Sequence, residues 1–179
     1  MRSTIFWVSG MPKGRLGILL RPRGGDWLGD EIEAWHQAGV GMVVSLLEPD
    51  EAAQLALEDE ASAATARGIA FRPLPIPDRG VPASKESVAQ LAREIVEALE
   101  AGRSVAVHCR QGIGRSGLVA GAVLVAMGKA PASALKAVGA ARGLEVPETR
   151  EQRHWLDEFA VWLATTKAVQ SSHAGDRAV

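Results

Sequence analysis

The stretch Ser104–Gly117, SVAVHCRQGIGRSG, constrains this chain more than any other. Val105, Ala106 and Val107 make a short continuous apolar run, the pattern of a buried strand. The run breaks into a loop carrying Gly112 and Gly114, and from Gly114 to Met127 the sequence is apolar almost all round. A helix without a polar face belongs in the middle of a molecule. Strand, glycine loop and buried helix follow one another without a spacer, so the rest of the chain has to be built around them.

The loop also carries chemistry. Cys109, the single cysteine of the chain, ends the strand, and Arg115 follows after five residues with Ser116 behind it. A tight turn from a strand into a helix points several backbone N–H groups inward, and the helix dipole adds positive potential. Gly112 and Gly114 permit the positive-φ conformations that such a cradle uses. A tetrahedral dianion fits there. A helix N-terminus and a neighbouring arginine both favour a cysteine thiolate, and the planar fork of Arg115 can grip two phosphate oxygens where a lysine could not.

Two plainer explanations compete. A lone cysteine after a β-run is often a small buried hydrophobe. Gly112, Gly114 and Gly117 also spell G-x-G-x-x-G, the dinucleotide-binding pattern, but that pattern needs a second strand after the helix. The segment after Gly128, KAPASALKAVGAARG, reads as helix, and the loop lies past the middle of the chain, so the dinucleotide site is rejected.

In chain order, Thr4–Ser9 and Arg15–Leu20 read as strands joined by a Met-Pro-Lys-Gly turn. A polar loop, RPRGGDW, leads to a helix over Trp27–Ala38 that Gly39 ends. Val40–Leu47 is a continuous apolar strand, and Pro49 opens a helix running to Gly68. Ile69–Ile76 is a strand that dissolves into PLPIPDRGVP. Ser84–Ala101 is an amphipathic helix with Val88, Leu91, Ala92, Ile95, Val96 and Leu99 on one face. Helices follow over Gly114–Met127 and Pro131–Ala141, and a last one starts near Glu148 with Trp155, Leu156, Phe159, Trp162 and Leu163 inward. The expected architecture is α/β, a three-layer-like sandwich with a mostly parallel central sheet flanked by helices. Residues 1–168 form one domain in this account, and 169–179 a disordered tail.

A near-neutral charge of −1 gives no reason to expect nucleic acid or a membrane surface as partner. One cysteine excludes an internal disulfide and suits a reducing cytoplasm. The N-terminal IFWV run is too short for a signal-peptide core, and the longest apolar stretch too short to span a bilayer. Arg outnumbering Lys, with abundant Ala and Gly and no Tyr, fits a GC-rich bacterial genome. His36, His154 and His173 stand apart without ligand spacing, so neither a metal nor any other cofactor is expected.

Asp78 is the second chemical candidate. It precedes Cys109 by 31 residues on the loop that leaves the Ile69–Ile76 strand. Both residues then lie at the C-terminal ends of strands, where open α/β sheets place their sites. Expelling an alkoxide or phenoxide from phosphate needs a proton donor opposite the nucleophile. Pro-Asp-x-Gly is equally a standard turn signal, and the residues alone leave the two roles balanced. Ser116 can donate to the cysteine sulfur and ease its departure, or cap the helix. Arg23 can reach a substrate from a rim loop or be a solvated surface charge.

HCRQGIGRSG resembles the H-C-x5-R-[ST] signature of the cysteine-dependent protein tyrosine and dual-specificity phosphatases, and the order of elements over residues 15–165 is similar to the compact dual-specificity branch, in particular the kinase-associated (cyclin-dependent kinase inhibitor type) phosphatases and their bacterial relatives. The resemblance implies a metal-independent phosphomonoester hydrolase that works through a phosphocysteine. Cys109 would be the nucleophile, Arg115 the phosphate clamp, Asp78 the general acid and Ser116 the helper of the leaving sulfur. Arg110, Gln111, Gly112, Ile113 and Gly114 would line the phosphate. His108 would support the loop and favour the thiolate, and Gln152 matches the late glutamine that some members use to place the hydrolytic water. An exposed glutamine in a charged helix is the alternative for Gln152. The substrate would be a phosphorylated protein or a small phosphomonoester. Other classes remain open: a phosphate-binding module with little catalysis, a rhodanese-like sulfur transferase, an arsenate reductase (for which the relay cysteines are missing), or a phosphatase of phosphoinositide, nucleotide or RNA 5′-phosphate.

Overall fold

The computed structural model describes residues 4–175. Within them a five-stranded sheet runs in the order β1-β2-β5-β3-β4. The strands are β1 (Ile5–Trp7), β2 (Leu16–Leu19), β3 (Val40–Ser45), β4 (Ala70–Pro73) and β5 (Ser104–His108). β5 lies in the middle, parallel to both β2 and β3; β4 continues the parallel set, and β1 alone is antiparallel. Every residue of β5 is buried. A strand with helices on both faces must be apolar without alternation, and this is why Val105–Val107 read as they do.

The two faces separate by side-chain alternation. Leu16, Ile18, Val105 and Val107 join one core, which also takes in the buried faces of α4 (Lys85–Glu100), α5 (Gly114–Ala126), α6 (Pro131–Arg142) and α7 (Arg150–Gly175). Leu19, Val43 and Ala106 join the other, with Ile32 and Trp35 of α1 (Leu28–Gln37) and Ala64 of α3 (Glu60–Ala66). In β3, Val40 and Met42 belong to opposite cores although they are two residues apart, because the register against β5 slips between them. The result is helix, sheet, helix.

α5 passes through the larger core with Gly114–Val125 all buried. Its glycines let neighbours approach: a Cβ on Gly117 would stand 2.8 Å from the Cβ of Val146, and one on Gly121 3.1 Å from Leu135. α4 presents the expected stripe, with Val88, Leu91, Ala92, Ile95 and Leu99 buried and Val96 at its edge. Each such Leu or Ile contributes about 1.5–3 kcal/mol by leaving water. Ser84 Oγ caps the helix by accepting from Ser87 N at 3.1 Å.

Two expectations need correction. The helix from Pro49 to Gly68 is two helices, α2 (Pro49–Gln54) and α3, separated by a left-handed Ala56 at φ 53°. That break is held from outside, since Gly25 N donates to Ala56 O at 2.9 Å. A Cβ on Gly24 would fall 2.0 Å from Leu55 O, so the glycine lets the two segments meet. The strand from Ile69 contracts to Ala70–Pro73 as its prolines remove donors. α7 is described as far as Gly175, and residues 176–179 of the expected tail lie outside the described residues.

Candidate active site

The loop between β5 and α5 delivers Cys109 and Ser116 to each other. Cys109 Sγ and Ser116 Oγ are 3.0 Å apart and both residues are buried. Gly112 takes φ +64°, and a Cβ there would meet Leu19 O at 2.6 Å, so the turn accepts glycine alone. α5 begins at Gly114 with no side-chain cap and no acid in its first turn. Its first N–H groups are thus left to face an anion.

Arg115 is 2% exposed and is held from three sides. Nη1 donates to Glu51 Oε2 at 2.6 Å, Ile76 O at 2.9 Å and Leu46 O at 3.4 Å. Nη2 donates to Glu51 Oε1 and to Asp78 Oδ1, each at 2.9 Å. Glu51 therefore grips the end of the fork through both oxygens. Hydrogen bonds from Arg115 hold its carboxyl below the usual carboxylate range, against the burial that pushes it up. Burial opposes the charge on Arg115, but the Glu51 hydrogen bonds and the electrostatic influence of Cys109, Glu51 and Asp78 outweigh it and raise its pKa. The two acids differ in kind. Glu51's side chain is 10% exposed and that of Asp78 57%, so one is a fixed counter-charge and the other an exchangeable one.

The structure thus brings Cys109, Ser116, Arg115 and Asp78 together, and the Gly112–Gly114 turn lies beneath them. Arg110 is on the rim, its Nη1 3.9 Å from Glu51 Oε1. Ile113 caps α5 through its backbone position only. Gln111 O and Gly112 O accept from Arg142, the last residue of α6, at 3.3 and 2.9 Å. The Arg142 guanidinium lies over the Phe6 ring at 4.2 Å. Those bonds occupy two of the loop carbonyls.

His108 shares a core with neither Cys109 nor Ser116. Its ring is 6.1 Å from that of Trp35 in the α1–α3 layer, and its Nε2 is 2.7 Å from Glu60 Oε1, with both residues buried. Gln152 is fully buried, so it is not the exposed glutamine that its charged surroundings suggest. Arg23 pairs with Glu31 and stacks over Trp27 at 4.6 Å.

Glu51, Glu60 and Arg142 were not legible as site residues. The sequence around Glu51, EPDE, does carry a helix-start signal, and Glu48 and Glu51 form a capping box. Nothing in it says that the same carboxylate reaches Arg115, 64 residues away. No group of acidic, histidine and cysteine side chains among the described residues could hold a metal ion. Among the same residues, no helix is long and apolar enough to cross a membrane.

Residues 19–129 match the protein family described as "Polymorphic toxin system, DSP-PTPase phosphatase". The chain belongs to this family of cysteine-dependent phosphatases. It is 33% identical over 99 residues to cyclin-dependent kinase inhibitor 3 of Rattus norvegicus and equally to that of Sus scrofa. Those matches cover 54% of this chain and 46% of each relative, so the similarity spans about half the length of either curated protein. Among solved structures, kinase associated phosphatase with its catalytic-site cysteine replaced by serine superposes with a TM-score of 0.83 at 23% identity. That match covers 92% of this chain and 97% of the other, and shows a shared dual-specificity phosphatase fold. Tk-PTP in its active form is 29% identical with a TM-score of 0.72, covering 87% of this chain and 95% of its own.

Proposed function

We propose that this protein hydrolyses phosphomonoesters, with phosphorylated proteins as the substrate class, through a phosphocysteine on Cys109. The observation that carries this is the guanidinium of Arg115, which joins the nucleophile loop to the exposed carboxylate of Asp78 at 2.9 Å. An arriving phosphate dianion competes with that carboxylate for Nη2. It takes the arginine and the N–H groups at the start of α5, and Asp78 is released beside the leaving oxygen, where it takes up a proton from solvent.

The Cys109 thiolate attacks phosphorus, the bond from phosphorus to the ester oxygen breaks, and Asp78 supplies the proton that the departing oxygen needs. Arg115, fixed by Glu51, and the loop N–H groups stabilise the equatorial oxygens as charge gathers there. Water then attacks the phosphocysteine and gives its proton to Asp78. The sulfur–phosphorus bond breaks, and the Ser116 hydroxyl, 3.0 Å from Sγ, donates to the sulfur that leaves. A reducing cytoplasm keeps Cys109 competent for this cycle. The similarity to the compact dual-specificity branch favours a shallow site that admits phosphotyrosine and phosphoserine or phosphothreonine.

Hydrolysis of p-nitrophenyl phosphate in the presence of a chelator tests the proposal. Turnover that survives the chelator and vanishes in Cys109→Ser supports it. Preserved phosphate binding without turnover would leave a phosphate-binding module instead.

A further inference from the structure

Gln152 owes its place to a local signal. Thr149-Arg-Glu-Gln152 is a capping box at the start of α7: Gln152 N donates to Thr149 Oγ1 at 3.1 Å, and Thr149 N donates to Gln152 Oε1 at 3.2 Å. The amide nitrogen Nε2 is turned the other way and donates to Gly80 O at 2.9 Å. Gly80 stands two residues beyond Asp78 on the same loop. The amide also rests on the first residue of α5, since a Cβ on Gly114 would come within 3.2 Å of both Nε2 and Oε1. One buried side chain therefore touches the start of α7, the start of α5 and the Asp78 loop.

That loop is a tight turn, closed by Gly80 N donating to Pro77 O at 2.8 Å, with Arg79 left-handed at φ 58°. On its outer side Asp78 leans on Arg115, the very contact that a phosphate removes. On its inner side the part-buried Gln152–Gly80 bond engages the loop backbone and not the Asp78 side chain. A water held on phosphorus would have to share this amide with two bonds that already fix its orientation. Here Oε1 serves the Thr149 N–H and Nε2 serves Gly80 O.

We propose that Gln152 is a positioning residue for Asp78, its amide fixing the acid loop against the start of α5 rather than holding the hydrolytic water. This rests on Asp78 acting as the general acid.

The test is kcat/KM for aryl phosphates whose leaving phenols range from strongly to weakly acidic, measured for wild type, Asp78→Asn, Gln152→Met and Gln152→Glu. That ratio reports steps up to cleavage of the ester bond and does not see hydrolysis of the phosphocysteine. Gln152→Met is expected to lose on the order of tenfold on phenyl phosphate, as a displaced loop would. It should stay within about twofold for the most acidic phenol, which needs no proton to leave. Gln152→Glu keeps the capping oxygen and carries the same measurement should Gln152→Met fail to fold. An unchanged kcat/KM across the series, with kcat lowered and a burst of phenol, would assign Gln152 to water and overturn the proposal. A uniform loss for all phenols would overturn it as well. If Asp78→Asn shows no dependence on the leaving group, the acid assignment itself fails, an outcome separable from failure at Gln152.

Discussion

At the scale of single residues, Glu51 decides how Arg115 is presented. A guanidinium this buried would be costly without a partner, and breaking such a pair from one side costs about 3–5 kcal/mol. Glu51→Gln is therefore expected to lower stability against urea by about 3 kcal/mol at neutral pH, with the two carbonyls at Leu46 and Ile76 still holding Nη1. The pH dependence follows from the sign of the shift. Glu51 has its carboxyl held below the ordinary value of 4.5, so its contribution is complete above that value and is lost as pH falls through the folded pKa. Denaturation midpoints should then differ by a constant amount from about pH 7 down to about pH 5 and converge in more acid solution. A gap that stays constant into acid would mean that the carboxylate is not what stabilises Arg115.

At the scale of elements, α6 is tied through its last residue to the loop between β5 and α5. Arg142 holds the carbonyls of Gln111 and Gly112 while Phe6 of β1 supports its guanidinium. Arg142→Met keeps the bulk and removes both bonds. It should lower kcat/KM by about tenfold, mostly through KM for phosphate esters, with helix content by circular dichroism unchanged. An unaltered KM would show that the loop holds its shape without α6. This tie marks a limit of what a sequence read from end to end can yield. The strand–loop–helix around Cys109 was legible because its apolar run, glycines and apolar helix are contiguous, and the stripe on α4 was legible from its spacing. The break at Ala56 was not, because a neighbouring loop imposes it through Gly25 N and not through a proline or glycine in the segment itself. The contacts of Arg142 and Glu51 were equally hidden, since they join residues that only the fold brings together. Gln152 lies between these cases: its Thr-x-x-Gln signal is local, whereas its bond to Gly80 is not.

At the scale of the whole molecule, the site sits where the central strand ends, so catalytic geometry and global stability share one scaffold. β5 is paired on both sides and entirely buried, whereas β1 is a short, half-buried edge strand. Amides of β5 are expected to exchange with deuterium only through global unfolding, and those of β1 through smaller openings. Comparable exchange in both strands would contradict the layering. The α/β class and the near-central place of the nucleophile loop could be anticipated from alternating elements. β-strand alternation turns His108 toward Trp35 and Glu60, while Cys109 joins the core of the opposite face. The most direct test of the account is mass analysis of peptides from enzyme quenched during turnover of an aryl phosphate. One phosphoryl group is expected on the peptide containing Cys109, enriched in wild type over Cys109→Ser. Steady turnover with no phosphoryl group on that peptide, or with the group on another residue, would contradict it.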